Sequence, residues 1–477
     1  MKININKYNI VKICFLVLVS MCFTYSQAWA QQQSQQKILV RQISFEGNIK
    51  TKPQRILREM EINVGDSLTL TSIQKKLKLS KNRIINTGLF TDVVTNLYFD
   101  EENYKNVSII ISVKEGLFVI PIPIIELAAR NFNVWINEYD SHIKFLNLGL
   151  YLKLKNLTGN ADQLNLLAQG GFDRKFSVNY ISPYFDRERK WNFQFTSLLN
   201  SNKEVSYIGD DGIPTFASNN NKYLHHRFES GFSLNYRPNY INTFSVKLGF
   251  NYQGISSELL ETIPTFLAGK KYQRYSDIEL SYSIEQRNNK YLATQGWFSK
   301  IKVQKNGLFG EDDYQAWNVK GDLHVHDYLG KGWTWNKSLI VRALLPRDKY
   351  PYYNLNRLGG EAEYVRGYEN YQIEGSSLVI GKTSMMKKII DRPINLGKLM
   401  PFVNYKSMDT KIYLSLNFDY GYVWDNYYYT SEWVNKPLYG GGLGINFLLY
   451  HQLGIIFEAS MDRENNFGIF FHINDTL

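Results

Sequence analysis

From residue 119 to the end of the chain, apolar and polar residues alternate in segments of about ten residues, the length of strands that cross a membrane. Residues 148–154, 244–252 and 278–285 show the alternation most clearly. Sixteen such segments begin near residues 119, 143, 162, 174, 190, 224, 243, 274, 296, 313, 333, 375, 410, 438, 453 and 466. We therefore predict a mainly β protein with a 16-stranded transmembrane antiparallel β-barrel over residues 119–477.

The connections between these segments differ in length, and their order supports the strand count. Short connections follow strands two, four, six, eight and ten, whereas long connections follow strands five, seven, eleven and thirteen. Bacterial barrels have short turns on the periplasmic side and long loops outside, so the pattern predicts which end faces which compartment. One connection, residues 388–409, does not fit, because it is long but falls on the short-turn side.

Residues 38–118 have the pattern of a small α/β unit in the order β-α-α-β-β. The predicted elements are a strand at 38–45, helices at 52–61 and 70–87, and strands at 90–99 and 107–113. Gly47, Asn48, Gly65 and Gly88 mark the turns between these elements, and Phe90 opens the second strand. An unpaired sheet edge can accept an extended peptide by strand addition. The alternative is a spacer whose edge binds nothing.

The first thirty residues predict a signal peptide. A basic start precedes the apolar residues 13–19, and Ala28-Trp29-Ala30 has the pattern of a cleavage site. A Gln-rich spacer then occupies residues 31–37. Both cysteines, Cys14 and Cys22, lie in this leader, so we expect no disulfide. A lipoprotein anchor at Cys22 is disfavoured because the preceding Met21 is bulky.

Composition and charge exclude two classes of protein. After residue 30 no run of about 18 apolar residues occurs, so a helical membrane span is not expected. The net charge of +11 is spread along the chain without a block of like charges, which disfavours a nucleic-acid partner.

The segment Val365-Arg366-Gly367-Tyr368 lies in the long loop between the eleventh and twelfth predicted strands. It resembles the signature of the BamA/TamA superfamily of outer-membrane assembly and secretion barrels, also called bacterial surface antigens. The resemblance implies that the loop folds back into the barrel and that its arginine meets an acidic residue on the inner wall. The β-α-α-β-β order of residues 38–118 and its turns resemble one POTRA domain, which implies a location in the periplasm.

We expect Asp419 to be the partner of Arg366. Asp419 and Gly421 lie in a segment that resembles the Phe-x-Asp-x-Gly strand of the family. The planar guanidinium of arginine can bind a carboxylate through two hydrogen bonds, which suits it to anchor a loop inside a wide lumen. The alternative is an exposed arginine in a loop without an anchor.

The first and last predicted strands meet where the barrel closes. Pro121 and Pro123 on the first strand cannot donate ladder hydrogen bonds. The last strand contains Phe471 and Ile473 and is followed by Leu477, an ending that resembles the barrel-recognition signal of outer-membrane proteins. We expect weak closure at this seam, and therefore an edge that a client strand can join.

By resemblance, the function is assembly of proteins into the outer membrane, or their translocation across it, without a cofactor. The implied partners are outer-membrane lipids, client outer-membrane or secreted proteins, and periplasmic chaperones or accessory lipoproteins. The implied location is the outer membrane of a Gram-negative bacterium. A passive channel or structural surface protein on the same scaffold is the alternative.

No catalytic residue is predicted, because the sequence contains no nucleophile elbow, zinc-protease helix or phosphate-binding loop. His324 and His326 would share one face of a strand. They have no evident third ligand, so a metal site is not predicted there. We therefore do not expect an enzyme.

Overall fold

The computed structural model describes residues 37–127, 146–208, 214–219, 222–359, 363–369, 371–428 and 432–475. The predicted leader and Leu477 lie outside these residues. The described chain forms a small α/β domain followed by a large antiparallel sheet.

The α/β domain is a four-stranded mixed sheet with two helices. Its elements are β1 (Lys37–Glu46), α1 (Pro53–Leu57), β2 (Ser67–Thr69), α2 (Leu70–Asn86), β3 (Phe90–Phe99) and β4 (Asn106–Glu115). The strand order is β2-β1-β4-β3; β1 and β4 are parallel and the other pairs antiparallel. The predicted order lacked β2, because a three-residue strand is too short to show alternation.

Helix α2 begins where Thr69 Oγ1 accepts a hydrogen bond from the backbone N–H of Ser72, an N-cap. Apolar residues of α2 recur at helical spacing and pack against the sheet. Its fully or nearly buried apolar residues are Ile73, Leu77, Ile84 and Ile85. They form one core with inward residues of β1, β3 and β4, including Val40, Val93 and Ile109. The domain therefore has its own hydrophobic core.

The rest of the described chain is dominated by one sixteen-stranded sheet. Its elements in chain order are β5 (Val119–Leu127), β6 (Leu146–Lys155), β7 (Gln163–Gly171), β8 (Arg174–Ile181), β9 (Trp191–Asn202), β10 (Glu204–Ile208), β11 (Pro214–Ser218), β12 (His225–Tyr236), β13 (Asn242–Ile255), α3 (Ser257–Thr262), β14 (Tyr272–Glu285), β15 (Gly296–Asn306), β16 (Ala316–Gly330), β17 (Trp333–Leu345), β18 (Asn356–Leu358), β19 (Ile373–Gly375), β20 (Ser377–Asn395), β21 (Ser407–Trp424), β22 (Pro437–Leu449), β23 (Leu453–Met461) and β24 (Phe467–Asp475). The pairs β10–β11 and β18–β19 are separate hairpins, and the other sixteen strands follow one another in the sheet from β5 to β24. This confirms the predicted fold class.

The side chains of the large sheet have an apolar outer face and a polar inner face. On β13, the apolar side chains of Phe244, Val246, Leu248 and Phe250 are exposed. Polar residues at inward positions of other strands, such as Asn165, are buried. This is the distribution of a barrel that meets lipid outside and encloses a polar lumen. No helix in the described ranges is both long and apolar enough to cross a membrane.

The connection predicted at 388–409 is wrong in its bounds. Strands β20 and β21 remain paired as far as Asn395 and Ser407, with a bulge between Lys388 and Ile390. The connection is therefore only residues 396–406. Polar residues such as Asp391 interrupt the alternation beyond residue 388 although the backbone ladder continues, so periodicity places the strand ends too early.

The α/β domain contacts several of the short connections of the barrel. Lys52 N–H donates to Gly159 O at 2.9 Å, and Asn404 Nδ2 donates to Glu115 O at 3.0 Å. Further contacts join Arg58 to Arg189 O, Asn86 to Lys290 N–H, Tyr405 Oη to Leu117 N–H and Gln452 to Phe90 O. The domain thus lies against the short-turn end of the barrel, and short turns from both halves of the sheet touch it.

Candidate functional site: the lumen loop and the barrel seam

Part of the chain between β17 and β20 packs against the inner wall of the barrel, and we call its described residues 359, 363–369 and 371–373 the lumen loop. Val365 and Tyr368 are fully buried at its tip. They belong to an apolar cluster that also contains Leu358 and Ile373 at the base of the loop, and wall residues such as Leu378, Ile380, Val423 and Leu438. Apolar packing therefore holds the tip in place beside its ion pairs.

Two glycines let the loop backbone approach the wall closely. Gly367 has a φ of +86°, and a Cβ there would lie 2.5 Å from the backbone nitrogen of Asp462. Gly421 on β21 faces the tip, and a Cβ there would lie 2.5 Å from Val365 Cγ2. Real Cβ atoms do not approach other atoms so closely. Gly367 thus lets the loop tip approach the end of β23, and Gly421 leaves room on β21 for the side chain of Val365.

Arg366 is clamped between two buried carboxylates on different strands. Its Nη1 lies 2.6 Å from Asp419 Oδ1, and its backbone N–H donates to Asp419 Oδ2 at 3.1 Å. Its Nε donates to Glu458 Oε1 at 3.0 Å, and Nη2 lies 2.9 Å from the same oxygen. Asp419 and Glu458 are almost completely buried. Sequence reasoning identified Asp419 but missed Glu458, an acidic residue at an inward position of the apolar strand β23.

The charge of Arg366 is stabilised by this arrangement. Burial lowers the pKa of Arg366, but the carboxylates of Asp419 and Glu458 outweigh that effect and raise the pKa above its usual value. A second cation, Lys382 on β20, lies 3.8 Å from Asp419 and over the ring of Tyr364. Arg366 and Lys382 thus share the carboxylate of Asp419.

The lumen loop also contacts the last strand of the barrel. The ring of Tyr364 stacks on the imidazole of His472 with centroids 4.8 Å apart. Glu369 Oε2 lies 3.1 Å from His472 Nε2. His472 lies on β24, one of the two strands at the seam. Nothing in the sequence pattern indicated this contact, which depends on how the loop folds.

The hydrogen-bonding pattern of the first strand directs the backbone of both prolines toward the seam. Lys155 N–H donates to Phe118 O, and β5 and β6 pair without a register shift, with Pro121 opposite Leu152. In an antiparallel ladder the N–H and C=O of alternate residues face the same neighbour. Even-numbered residues of β5 therefore face β6. The backbone of Pro121 and Pro123 faces away from β6, toward the open edge.

The same reasoning applies to the last strand. Asp462 N–H donates to Asn466 O, which places even-numbered residues of β24 toward β23. The backbone groups of Phe471 and Ile473 therefore face the seam, and their side chains are exposed on the outer face. In the described residues the sheet runs from β24 to β5, and no ladder pairs these two strands.

An ion pair joins the α/β domain to the barrel. Arg237, which follows β12, donates through Nη1 and Nη2 to the two carboxylate oxygens of Glu59, at 2.8 and 3.0 Å. Arg55 Nη1 lies 2.6 Å from the same carboxylate. Burial raises the pKa of Glu59, but the two guanidinium groups outweigh it and hold the pKa well below its usual range. This interface was not predicted from the sequence.

The remaining predicted residues occupy structural positions. Gly47, Gly65 and Gly88 lie in turns with φ of +80°, +94° and +71°. Asn48 Nδ2 donates to Thr51 O, and Phe90 is buried in the core of the α/β domain.

Among the described residues, His324 and His326 of β16 belong to no group of three metal-ligand side chains. His324 and His326 each form a hydrogen bond through Nδ1 with the neighbouring strand β17, to Ser338 and Asn336 respectively. Within the described ranges, histidine and carboxylate ligands converge instead at Glu369, Glu458 and His472.

These features define an outer-membrane β-barrel protein with a POTRA domain. The sixteen-stranded barrel has an apolar outer face, a loop is clamped in its lumen, and the small α/β domain lies at its short-turn end. The family profile of the Omp85 superfamily domain matches residues 156–454. A POTRA profile, described as a surface antigen variable number repeat, matches residues 38–116. The chain belongs to the Omp85 superfamily, which confirms the membership that the loop motif predicted.

Solved structures with the same fold are distant in sequence. BamA from Haemophilus ducreyi lacking POTRA domains 1-3 has a TM-score of 0.50 and 14% identity, over 91% of this chain and 84% of that chain. CdiB from Escherichia coli has a TM-score of 0.56 and 12% identity, over 92% of this chain and 76% of that chain. At such identities the similarity concerns the fold alone. No curated protein matches this chain.

Proposed function

We propose that this protein assembles client proteins into the outer membrane or translocates them across it. We further propose that client strands bind at the barrel seam. Residues 1–30 direct export, residues 31–37 form a spacer, residues 38–118 form the POTRA domain in the periplasm, and residues 119–477 form the barrel. Client outer-membrane or secreted proteins are the partners, with chaperones or accessory lipoproteins delivering them.

The observation that carries this proposal is the position of Pro121 and Pro123. Proline is compatible with the β5–β6 ladder at these positions because their backbone faces the other way. Toward β24, however, β5 lacks two N–H donors that an ordinary strand would present. A seam with fewer possible hydrogen bonds is easier to open, and an incoming strand can then pair with the donors and acceptors of β24.

The lumen loop supports the same function. It ties β21 and β23 together through Arg366, and it touches β24 through Tyr364 and Glu369. When the seam opens, the neighbouring strands of the barrel wall must keep their positions. Arg366 joins the loop to that wall through two carboxylates, and losing one partner of such a buried pair is costly.

The edge of the POTRA sheet is the second client surface in this proposal. Strand β3 is ten residues long and lies at the edge of its sheet. Asp100 N–H donates to Asn106 O, so odd-numbered residues of β3, from Val93 to Phe99, direct their backbone groups toward the free edge. Such an edge can pair with an unfolded client strand before the client reaches the barrel.

The experiment is complementation of cells depleted of this protein, with the outer-membrane proteome as the readout. Wild type is compared with the double variant P121V/P123V, which restores two seam-facing donors, and with I122V, whose N–H faces β6. We expect depletion to lower particular barrel or surface proteins, and the double variant to restore them less well than I122V. An unchanged proteome with altered solute permeability would contradict the proposal and favour a passive channel. Full complementation by P121V/P123V would reject the seam as the site of action.

A further inference from the structure

Three side chains of metal-ligand type converge in the lumen beside Arg366. They are Glu369 of the lumen loop, Glu458 of β23 and His472 of β24, and one ligand atom from each lies within 4.8 Å of the others. His472 Nε2 lies 3.1 Å from Glu369 Oε2 and 3.8 Å from Glu458 Oε2. The three residues come from three separate elements.

Two of these groups are buried with unsatisfied atoms. The side chain of Glu369 is only 6% exposed, and its Oε1 has no hydrogen-bond partner among the described residues. The Nε2 atom of His472 is likewise buried, and its approach to Glu369 is not aligned as a hydrogen bond. Buried polar atoms without partners are uncommon because their desolvation is costly. A cation on His472 Nε2 would satisfy that atom, and it would also satisfy Glu369 Oε1 when Glu369 binds through both of its oxygens.

The spacing of the donor atoms fits a shared ion. Nitrogen and oxygen ligands lie about 2.0–2.2 Å from tetrahedral Zn²⁺, so two donors on one ion stand roughly 3.3–3.6 Å apart. His472 Nε2 lies 3.1 Å from Glu369 Oε2 and 3.8 Å from Glu458 Oε2, one distance just below this range and one just above it. Movements of a few tenths of an ångström would therefore bring the three donors onto one ion. The stacking of Tyr364 on His472 restricts the plane of the imidazole.

The local charge also favours a cation. The carboxylates of Asp419, Glu458 and Glu369 face two cations, Arg366 and Lys382, which leaves one negative charge when His472 is neutral. Arg366 satisfies Asp419 and part of Glu458 but does not reach Glu369. An imidazole beside carboxylates is suited to Zn²⁺ and similar transition metals, whereas Mg²⁺ and Ca²⁺ prefer oxygen ligands only.

We propose that Glu369, Glu458 and His472 form a binding site for one divalent transition-metal ion of the Zn²⁺ type. The ion joins the lumen loop to the wall and to the last strand of the barrel. Metal binding itself does not depend on the proposed assembly function. Its consequence does, since an ion on His472 would hold β24, and with it the seam, against the loop.

The test is a Zn²⁺ titration of the full-length protein, purified without a histidine tag, folded in detergent and stripped with a chelator. The variants are E369Q and H472Q, with H226Q as the matched control, because His226 is exposed and remote from the cluster. We expect one Zn²⁺ per chain in wild type and in H226Q, and an affinity at least tenfold weaker in E369Q and H472Q. Co²⁺ should bind the same site, with a visible spectrum typical of mixed nitrogen and oxygen ligands.

Several results would overturn the proposal. They are the absence of stoichiometric Zn²⁺ binding to wild type, equal affinity in E369Q and wild type, or equal binding of Mg²⁺ and Zn²⁺. E369Q alters only a loop residue, so it remains informative if H472Q fails to fold. Complementation in medium depleted of zinc then separates the two proposals. If the purified protein binds Zn²⁺ but client levels do not depend on it, the site stands and its link to the seam fails.

Discussion

Glu59 of the POTRA domain and Arg237 of the barrel, 178 residues apart in the chain, form an ion pair through both carboxylate oxygens. The side chain of Glu59 is 2% exposed, so the pair is shielded from water. Arg55 contacts the same carboxylate from within the domain. One buried acid thus couples the domain to the short-turn end of the barrel.

Removing this acid should release the domain. In E59Q the guanidinium groups of Arg237 and Arg55 would remain buried without a counter-ion, and breaking a buried pair in this way typically costs about 3–5 kcal/mol. We expect faster hydrogen exchange in the short turns that the domain covers, with the barrel still folded on heat-shift gels. The control is E188Q, because Glu188 forms an exposed pair with Lys190. Equal exchange in the two variants would contradict the role of Glu59.

The same contact should depend on pH in one direction. The pKa of Glu59 is lowered in the folded protein, so its stabilising contribution is complete above the ordinary glutamate pKa of about 4.3 and is lost as the pH falls below it. We expect exchange protection of the docked turns to be constant between pH 5 and pH 8 and to decrease below about pH 4. In E59Q the exchange protection of these turns should be low and should not change over that range. A decrease that begins near neutral pH would assign the dependence to another group.

Arg366 should determine the order of the lumen loop but not the fold of the barrel. In R366A two buried carboxylates lose their main partner, a local cost of about 3–5 kcal/mol, while the sixteen-stranded ladder is untouched. We expect a barrel that still resists denaturation, a protease-sensitive lumen loop and a reduced ability to complement depletion. R347A is the control, because Arg347 is exposed and lies between β17 and β18, outside the lumen loop. A protected loop in R366A would show that apolar packing of Val365 and Tyr368 suffices.

The contact between Gly421 and Val365 offers a test that can be reversed. In G421A the new Cβ would lie 2.5 Å from Val365 Cγ2, and overpacking of this kind costs about 1–3 kcal/mol. The double variant G421A/V365A removes the clashing methyl groups, so it should recover part of the loop protection that G421A loses. G321A is the control, because a Cβ at Gly321 meets no atom within 4 Å. If the effects of the two substitutions on loop protection simply add, the two residues do not interact as the structure places them.

The sequence was sufficient for the architecture because lipid outside and water inside impose alternation on every spanning strand. All sixteen predicted strands correspond to strands of the barrel. The prediction failed where that constraint ends, as in β20 and β21, whose ladder continues past the apolar pattern. Strand β2 was missed for a related reason, since three residues carry no period.

The contacts of the candidate site were likewise predictable only in part. The loop motif led to the pair of Arg366 and Asp419, whose contact the structure contains, although its role in function stays a prediction. Glu458 and His472 lie 92 and 106 positions after Arg366 in the chain, and their approach depends on strand register and loop folding together. The docking of Glu59 on Arg237 is equally non-local. The alternation of apolar and polar residues within one strand or helix cannot indicate such contacts.

The free edge of the POTRA sheet can be tested at Thr95 without disturbing the ladder inside the sheet. Its backbone faces away from β4, so T95P removes one edge donor while the β3–β4 hydrogen bonds remain possible. T95V is the matched control, because it keeps the N–H and favours a strand. We expect both variants to fold with similar free energies of unfolding of the domain, and T95P alone to crosslink less to unfolded client strands. If T95P and T95V crosslink equally, clients do not add to this edge and the seam alone receives them.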